Sequence, residues 1–126
     1  MAAVNPYLQY QQQSINTATP GMLIVMLFES AVKNINLAVR AIDDHNVEAS
    51  HNALIKVQNI YSSLDGYLNP AVPLSADLHN WYEYILRRLM EANIKKDKEI
   101  LSEVLSYTVE FRDTWKEAEK KIHLSR

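Results

Sequence analysis

Glu48 and His51 form the spacing Glu-x-x-His in the stretch "EASH", which could contribute ligands to a metal ion. Helical bundles that hold two metal ions use such a pair from each of two helices, together with two further inward-facing glutamates. The sequence contains no second Glu-x-x-His, and Glu48 falls near a predicted helix start, where the exposed backbone amides stabilise a carboxylate. We therefore expect no metal and no cofactor, and a metal-binding bundle enzyme is an alternative function only.

Other kinds of catalytic chemistry also lack the residues that they need. The chain has no cysteine and only two glycines, which excludes a thiol nucleophile, a zinc–thiolate cluster and a glycine-rich phosphate loop. Thirteen basic and 15 acidic side chains give a net charge of −2, so there is no broad basic surface for nucleic acid. The longest apolar run, residues 22–28, is far shorter than the roughly 20 residues of a membrane span. We expect a non-enzymatic cytoplasmic protein without nucleic-acid binding or membrane insertion.

The apolar residues recur three and four positions apart in four long segments, a pattern typical of amphipathic helices. Prolines at positions 6, 20, 70 and 73 lie at the edges of these segments and leave their interiors free of helix breakers. The predicted helices span about residues 19–44, 47–68, 75–93 and 97–124, and the N-caps predicted for the first three are Thr19, Asn46 and Ser75. No segment shows the alternation of a strand.

Short connections between these helices favour antiparallel neighbours, because a few residues cannot carry the chain to the far end of a helix. The sequence therefore predicts an all-α fold, an antiparallel up-down-up-down four-helix bundle with an extended N-terminal arm. We assign residues 1–18 to the arm and residues 19–124 to the bundle. The large side chains expected in the core are Phe28, Ile35, Leu64, Ile85, Leu89, Phe111 and Trp115.

Three apolar residues of the first helix remain outside its main buried face. Leu23, Met26 and Leu27 follow the spacing i, i+3 and i+4 and form what we call the outer stripe. Full exposure would forgo roughly 1.5 to 3 kcal/mol of burial for each side chain, so something should cover them. Either the other helices surround the first helix, or a partner docks on this stripe, as large exposed apolar patches usually indicate. Methionine suits a surface that must repack against a partner.

The arm, which contains "NPYLQYQQQSINTATP", has apolar side chains that a merely solvated terminus would not need. Tyr7, Tyr10 and Ile15 lie within reach of the first turns of the first helix. A terminal segment is often simply frayed, but this content indicates that residues 1–16 act as a lid over nearby apolar surface. A further alternative is that the outer stripe binds a second copy of the chain, so that the protein is a structural dimerisation module.

Four stretches of the sequence are informative together: "NPYLQYQQQSINTATP" in the arm, "LIVMLFESA" in the first helix, and "YEYILRRLMEANIKKD" and "FRDTW" in the later helices. On these stretches the sequence resembles the FliS family, the flagellin-specific export chaperones of bacterial flagella. The resemblance extends from about residue 4 to residue 118. The arm and the third of these stretches are specific in their spacing and order, whereas the helical pattern alone would fit many bundles.

This resemblance implies a four-helix bundle that binds the C-terminal, helix-forming segment of flagellin. Such a chaperone prevents premature polymerisation in the cytoplasm and assists delivery to the flagellar type III export apparatus, so a component of the export gate is a further expected partner. The family's arm folds over the bundle and is displaced by flagellin, a role that falls here on Asn5, Pro6, Tyr7 and Tyr10. The free protein is expected to be a monomer or a weak homodimer.

Overall fold

The structure, a computed structural model, describes residues 19–124, with side chains described as far as Ile122. Four α-helices make up almost all of this range: α1 (Pro20–Asp43), α2 (Val47–Gly66), α3 (Leu74–Lys95) and α4 (Lys98–Leu124). The described part of the chain contains no strand. The prediction of an all-helical fold is confirmed, whereas the predicted arm, residues 1–18, lies outside the described residues.

The first two helices begin at the residues that the sequence predicted. The Thr19 side chain accepts a hydrogen bond from the backbone N–H of Met22, and Asn46 accepts one from Ala49. Each of these caps satisfies one of the amide groups that a helix leaves unpaired at its start. Pro20 occupies the first position of α1, where its missing N–H has no cost.

The bounds of α3 differ from the prediction at both ends. Ser75 is not the N-cap; it lies inside the first turn, where its hydroxyl donates to the Asn69 carbonyl at 2.7 Å and so folds the connection back on the helix. The helix also continues past Asn93 and stops at Lys95, because Lys96 takes the left-handed conformation with φ 52°. Asp97 then accepts a hydrogen bond from the backbone N–H of Glu99 and starts α4.

Contacts between the helix ends establish the antiparallel arrangement. The end of α1 meets the start of α4 through an ion pair of Asp43 with Lys98, while Thr19 at the start of α1 meets Glu119 near the end of α4. Between α2 and α3, His79 contacts Asp65 at 2.7 Å. Helix α1 packs against α2 and α4, and α3 packs against the same two helices. The result is the predicted four-helix bundle.

The core fills the space that all four helices share. Of the seven large side chains predicted there, five have at most 2% of their surface exposed: Phe28, Ile35, Leu64, Ile85 and Leu89. Phe111 and Trp115 were predicted as core residues, and this was wrong, because they are only partly buried against the edge of the core. Helix α2 ends and α3 begins near their level of the bundle, so fewer neighbours cover this part of α4.

One polar pair lies inside this apolar core. The hydroxyl groups of Tyr61 on α2 and Thr108 on α4 are 2.6 Å apart, and Thr108 donates to the Val104 carbonyl. The Tyr61 hydroxyl therefore acts as the donor to Thr108, and both groups are satisfied without water. Burial raises the pKa of the Tyr61 hydroxyl, which keeps it protonated and able to donate.

By length and composition α1 could span a membrane, since its apolar window has a mean hydropathy of 1.6. The same helix supplies Phe28, Ala31, Ile35 and Ala38 to the core, where each is fully buried. The core helix of a bundle can be as long and as apolar as a membrane span. The packing of α1 against both α2 and α4 accounts for its apolar character.

Candidate functional site

The predicted partner-binding residues fall into two groups. Asn5, Pro6, Tyr7, Tyr10 and Ile15 lie outside the described residues, so their role remains a prediction. The outer stripe lies inside the described range and was predicted to point away from the core.

One member of that stripe is wrongly placed by the prediction. Leu27 has only 3% of its surface exposed and belongs to the core. The reason is that α1 packs against two neighbours, so its buried arc is wider than a single row of residues. Leu23 and Met26 are partly buried and lie at the boundary of that arc.

A groove between α1 and α4 has Met26 in its lining but not Leu23, and we call it the methionine groove. It has a volume of about 610 Å³. Its lining residues are Met22, Val25, Met26 and Glu29 from α1, with Lys116, Glu119 and Lys120 from α4. Val25 is 6% exposed and Met22 is 39% exposed, so a packed residue and an open one stand side by side.

The chemistry of the methionine groove suits a helical partner. Its α1 side is apolar and adaptable, because methionine side chains are unbranched and polarizable. Its rim carries two acidic and two basic side chains, Glu29, Glu119, Lys116 and Lys120, and therefore has no strong net charge. Such a surface favours the apolar face of an amphipathic segment over a small charged ligand.

The start of α1 is tied to the α4 wall of this groove. The Thr19 hydroxyl donates to Glu119 Oε2 at 3.0 Å while its oxygen accepts from the Met22 N–H at 3.2 Å. A Cβ added at Gly21 would overlap the carboxylate of Glu119, so the glycine leaves room for this side chain. Thr19 and the start of α1 therefore lie at the edge of the methionine groove.

A second groove lies on the other side of α4, against α3, and we call it the aromatic groove. It has a volume of about 650 Å³, and the residues that line it are Leu74, Asp77, Leu78, Asn80, Trp81, Tyr84, Tyr107 and Phe111. The rings of Trp81 and Tyr107 are 5.1 Å apart. Trp81 is 42% exposed. The sequence signal for this exposure was the position of Trp81 next to the buried Tyr82, because adjacent residues of a helix do not share a face.

A polar cluster lies next to the aromatic groove and joins α3 to α4. Glu103 accepts hydrogen bonds from Arg88 at 2.8 Å and from the Tyr84 hydroxyl at 2.7 Å. Arg88, followed by Tyr84, lowers the pKa of the Glu103 carboxyl, because both donors favour its charged form. Arg88 also contacts Glu91 at 2.7 Å, so this cluster is internally paired and stabilises the interface rather than offering a free charge.

The residues considered for metal binding do not come together in the described range. Glu48 and His51 are both exposed, and the His51 ring lies 2.9 Å from the Asn93 amide. Among residues 19–122, no group of three or more histidine, aspartate and glutamate side chains is arranged so that it could hold a metal ion. No arrangement for metal chemistry is therefore built by this part of the chain.

Comparison with known proteins decides the family. The sequence profile of the family described as "Flagellar protein FliS" matches residues 3–122, which is nearly the whole chain. The chain belongs to the FliS family. The matched residues include the bundle and most of the predicted arm.

Individual relatives agree with FliS membership. The chain is 48% identical over 118 residues to the "Flagellar secretion chaperone FliS" of Bacillus subtilis (strain 168), covering 94% of this chain and 89% of that protein. It is 28% identical to the protein of the same name from Salmonella typhimurium, covering 95% and 92% of the two chains. A crystal structure described as a flagellar chaperone from bacteria has the same fold, with a TM-score of 0.76 at 16% identity, covering 92% and 96%.

The FliS assignment places this chain among the chaperones of flagellar secretion. Chaperones act by binding, and this supports the expectation of a non-enzymatic protein. It also implies a protein partner that takes part in flagellar export, which agrees with a site made of apolar grooves.

Proposed function

We propose that this chain is a cytoplasmic export chaperone that binds the C-terminal helical segment of flagellin in the methionine groove. Binding there keeps that segment from polymerising prematurely, and the complex is delivered to a component of the flagellar export gate. The observation that carries the proposal is an open groove with two methionines on its apolar side, next to the point where the arm enters the bundle.

The physical basis is the exchange of apolar surface between water and protein. An amphipathic segment of the client cannot bury its apolar face alone, and the groove offers Met22, Val25 and Met26 as partners. The ordering of the client opposes binding and limits the net affinity. The exchange needs no nucleotide, because burial of apolar surface supplies the free energy.

Residues 1–16 act as a lid that competes with the client for this groove. Thr19 lies at the groove, and Tyr10 is nine positions before it, so an extended chain lets Tyr10 reach about 30 Å. The α1 side of the groove, from Met22 to Glu29, is only about 10 Å long. Tethering gives the lid an effective concentration on the order of mM, which lets weak contacts keep it closed much of the time.

The first experiment is a titration of the C-terminal segment of the cognate flagellin into the folded chain. We expect a one-to-one complex, observed as heat by calorimetry and as added mass by sedimentation. No heat at several temperatures and no added mass would contradict the proposed client. A free protein that sediments as a stable dimer and loses its partner copy on peptide addition would favour the dimerisation reading of the groove.

A second experiment locates the site with paired substitutions. Met22→Asp with Met26→Asp should weaken peptide binding at least tenfold, because two charges would lie where apolar contact is needed. Leu27 is left unchanged, since a charge at this buried position would unfold the bundle. The control is Met90→Asp, at a methionine of α3 that is 49% exposed and outside the groove. Equal affinity of the double variant and the control would rule out this groove.

Removal of residues 1–16 tests the lid separately. A closed lid reduces the apparent affinity of the client by the fraction of molecules that are open. The shortened chain should therefore bind the flagellin peptide more tightly and bind more of an apolar dye. Unchanged affinity and unchanged dye binding would eliminate the lid and leave the arm with another task, such as contact with the export gate.

A further inference from the structure

A row of acidic side chains follows the α4 side of the aromatic groove. Glu103, Glu110 and Glu117 are seven residues apart in sequence, a spacing that places them on one face of a helix. Tyr107, which lines the groove, shares this face because it lies four residues after Glu103 and three before Glu110. The hydrogen bond from the Tyr84 hydroxyl to Glu103 shows that this face of α4 is turned toward α3.

No basic side chain in the groove balances these acids. The lining contains one acidic residue, Asp77, and no lysine, arginine or histidine. Arg88 lies nearby, but its guanidinium contacts Glu103 at 2.8 Å and Glu91 at 2.7 Å, so its charge is already paired. Asp77 and Glu110, in contrast, form no ion pair with any residue that the structure describes. The aromatic groove therefore has an excess of negative charge, whereas the rim of the methionine groove is balanced.

Three aromatic rings form an exposed surface in this groove. The centroid of the Trp81 ring lies 5.1 Å from that of Tyr107 and 6.2 Å from that of Tyr84, and the two tyrosine rings are 6.5 Å apart. These contacts hold the rings in place, and the Tyr84 hydroxyl is also held by Glu103 at 2.7 Å. Trp81 is nevertheless 42% exposed. A surface that is already ordered in this way loses little entropy when a partner binds.

The size and shape of the groove suit a helix. Its α3 side extends from Leu74 to Tyr84, which corresponds to about 15 Å, or about three helical turns. Leu74, Leu78 and Phe111 add apolar side chains to the aromatic surface. A groove between two packed helices binds the apolar face of a third helix through side chains that recur three and four residues apart.

An exposed tryptophan next to carboxylates binds cationic side chains in two ways. The face of the Trp81 ring attracts a cation, and Asp77 and Glu110 offer carboxylates for pairing. Arginine suits both contacts, because its planar guanidinium stacks on aromatic rings and donates two parallel hydrogen bonds to a carboxylate. Tryptophan and tyrosine are also the side chains that contribute most often to the binding energy of protein interfaces.

We propose that the aromatic groove is a second docking surface, which binds a basic amphipathic helix of a protein partner other than the client. The apolar side chains of that helix contact Leu74, Leu78 and Phe111, and its arginines lie against Trp81 and pair with Asp77. The groove lies on the opposite side of α4 from the methionine groove, so the two surfaces can be occupied at the same time. The inference does not depend on flagellin as the client.

The probe for this surface is a synthetic helical peptide of about 18 residues, with leucines on one face and arginines along both edges of that face. A control peptide carries glutamate in place of every arginine. The chain has two tryptophans, so its nitrogen-15 NMR spectrum has two indole N–H signals, and Trp81→Phe identifies the signal of Trp81. In the unchanged full-length chain, the basic peptide should shift this signal until it saturates and should bind at least tenfold more tightly than the acidic peptide. Equal affinities of the two peptides would overturn the proposal.

Substitutions in the groove separate specific binding from general attraction between opposite charges. Asp77→Asn with Glu110→Gln should weaken binding of the basic peptide about three- to tenfold, the range expected for loss of two exposed ion pairs. The matched control is Glu48→Gln with Glu99→Gln, which removes the same charge at exposed acids outside the groove and should leave the affinity unchanged. Equal weakening in both double variants would overturn the proposal.

Trp81→Ala tests the aromatic part of the surface. It should weaken binding of the basic peptide at least tenfold, because an exposed tryptophan in the centre of a groove contributes a large share of the contact. Circular dichroism should show an unchanged helical content, since Trp81 is not a core residue. Unchanged affinity in this variant would overturn the proposal.

The flagellin segment tests whether the two grooves serve different partners. The basic peptide should bind with the same affinity whether or not the flagellin segment is present at saturation. Competition between them, with a shift of the Trp81 signal by the flagellin segment alone, would assign the aromatic groove to the client and overturn this inference. Absence of flagellin binding would refute the client proposed above, and the peptide titrations would still decide the aromatic groove.

Discussion

The two halves of α4 carry the same apolar spacing but have different surroundings. In the first half, Leu101, Val104 and Thr108 are fully buried. In the second half, Phe111 and Trp115 are only partly buried, and Ile122 is 47% exposed. Neighbouring helices cover the inward face of the first half. The last turns of α4 extend to the level where α1 begins, as the contact of Glu119 with Thr19 shows.

Because of this difference, one helix contributes both to the core and to the lining of two surface grooves. The methionine groove and the aromatic groove lie on opposite sides of α4, and both use residues from position 107 onward. The second half of α4 thus continues from a buried half and lines a groove on each of its two sides.

The largest expected effect comes from the first half of α4. Leu101→Ala should lower the free energy of unfolding by about 2 to 5 kcal/mol, because it removes a fully buried side chain and leaves a cavity. Ile122→Ala, the matched truncation in the second half, should cost less than about 1 kcal/mol, since much of that side chain already contacts water. Urea denaturation of both variants measures this. Equal losses would remove the distinction between the two halves.

The sequence predicted the four helices and five of the seven large core residues, because the spacing of apolar residues reports which face of a helix is covered. It could not predict where along α4 the neighbouring helices stop covering the apolar face. Phe111 and Trp115 continue the same stripe as Leu101 and Val104, so the pattern alone gave no reason to place them outside the core. Leu27 was predicted outside the buried face but is buried, since the pattern does not show how many helices pack against α1.

The candidate site was partly visible in the sequence for a related reason. Met26 was found because it exceeded the needs of a single buried face, whereas Leu23, selected for the same reason, does not line the methionine groove. The α4 side of the groove, with Glu119, was not found, because a charged residue in a polar stretch gives no signal until the fold places it beside Thr19.

A smaller effect is expected at the buried hydrogen bond between Tyr61 and Thr108, in the first half of α4. Thr108→Val keeps the shape of the side chain but leaves the buried Tyr61 hydroxyl without its acceptor, which should cost about 1 to 3 kcal/mol. Adding Tyr61→Phe removes the unpaired hydroxyl, so the double variant should regain part of this loss. Denaturation of the two single variants and the double variant tests the coupling. Strictly additive losses would mean that the two groups do not depend on each other.

The smallest effect is expected at the exposed end of the bundle, near the level of Phe111. His79 on α3 lies between Asp65 and Glu83, and the hydrogen bond with Asp65, ahead of the other contacts, raises the pKa of the His79 imidazole. The folded state therefore holds the proton more tightly than the unfolded state. This contribution to stability is complete below about pH 6.5 and is lost as the pH rises through the raised pKa.

The measurement is the free energy of unfolding as a function of pH for the unchanged chain and for His79→Gln. From about pH 6.5 upward, the unchanged chain should lose stability more steeply than the variant, which lacks the titrating ring. Parallel curves would show that the contacts of His79 are too weakly held to matter. A steeper loss in His79→Gln would contradict the sign of the shift.

The central claim is that the start of α1 and the second half of α4 form the client surface while the first half of α4 is core. Hydrogen exchange with and without the C-terminal flagellin segment tests it most directly. We predict slower exchange in residues 20–29 and 112–122 on adding the peptide, and unchanged exchange in residues 98–108. Protection confined to residues 74–84 and 103–111 would instead place the client in the aromatic groove and contradict this account.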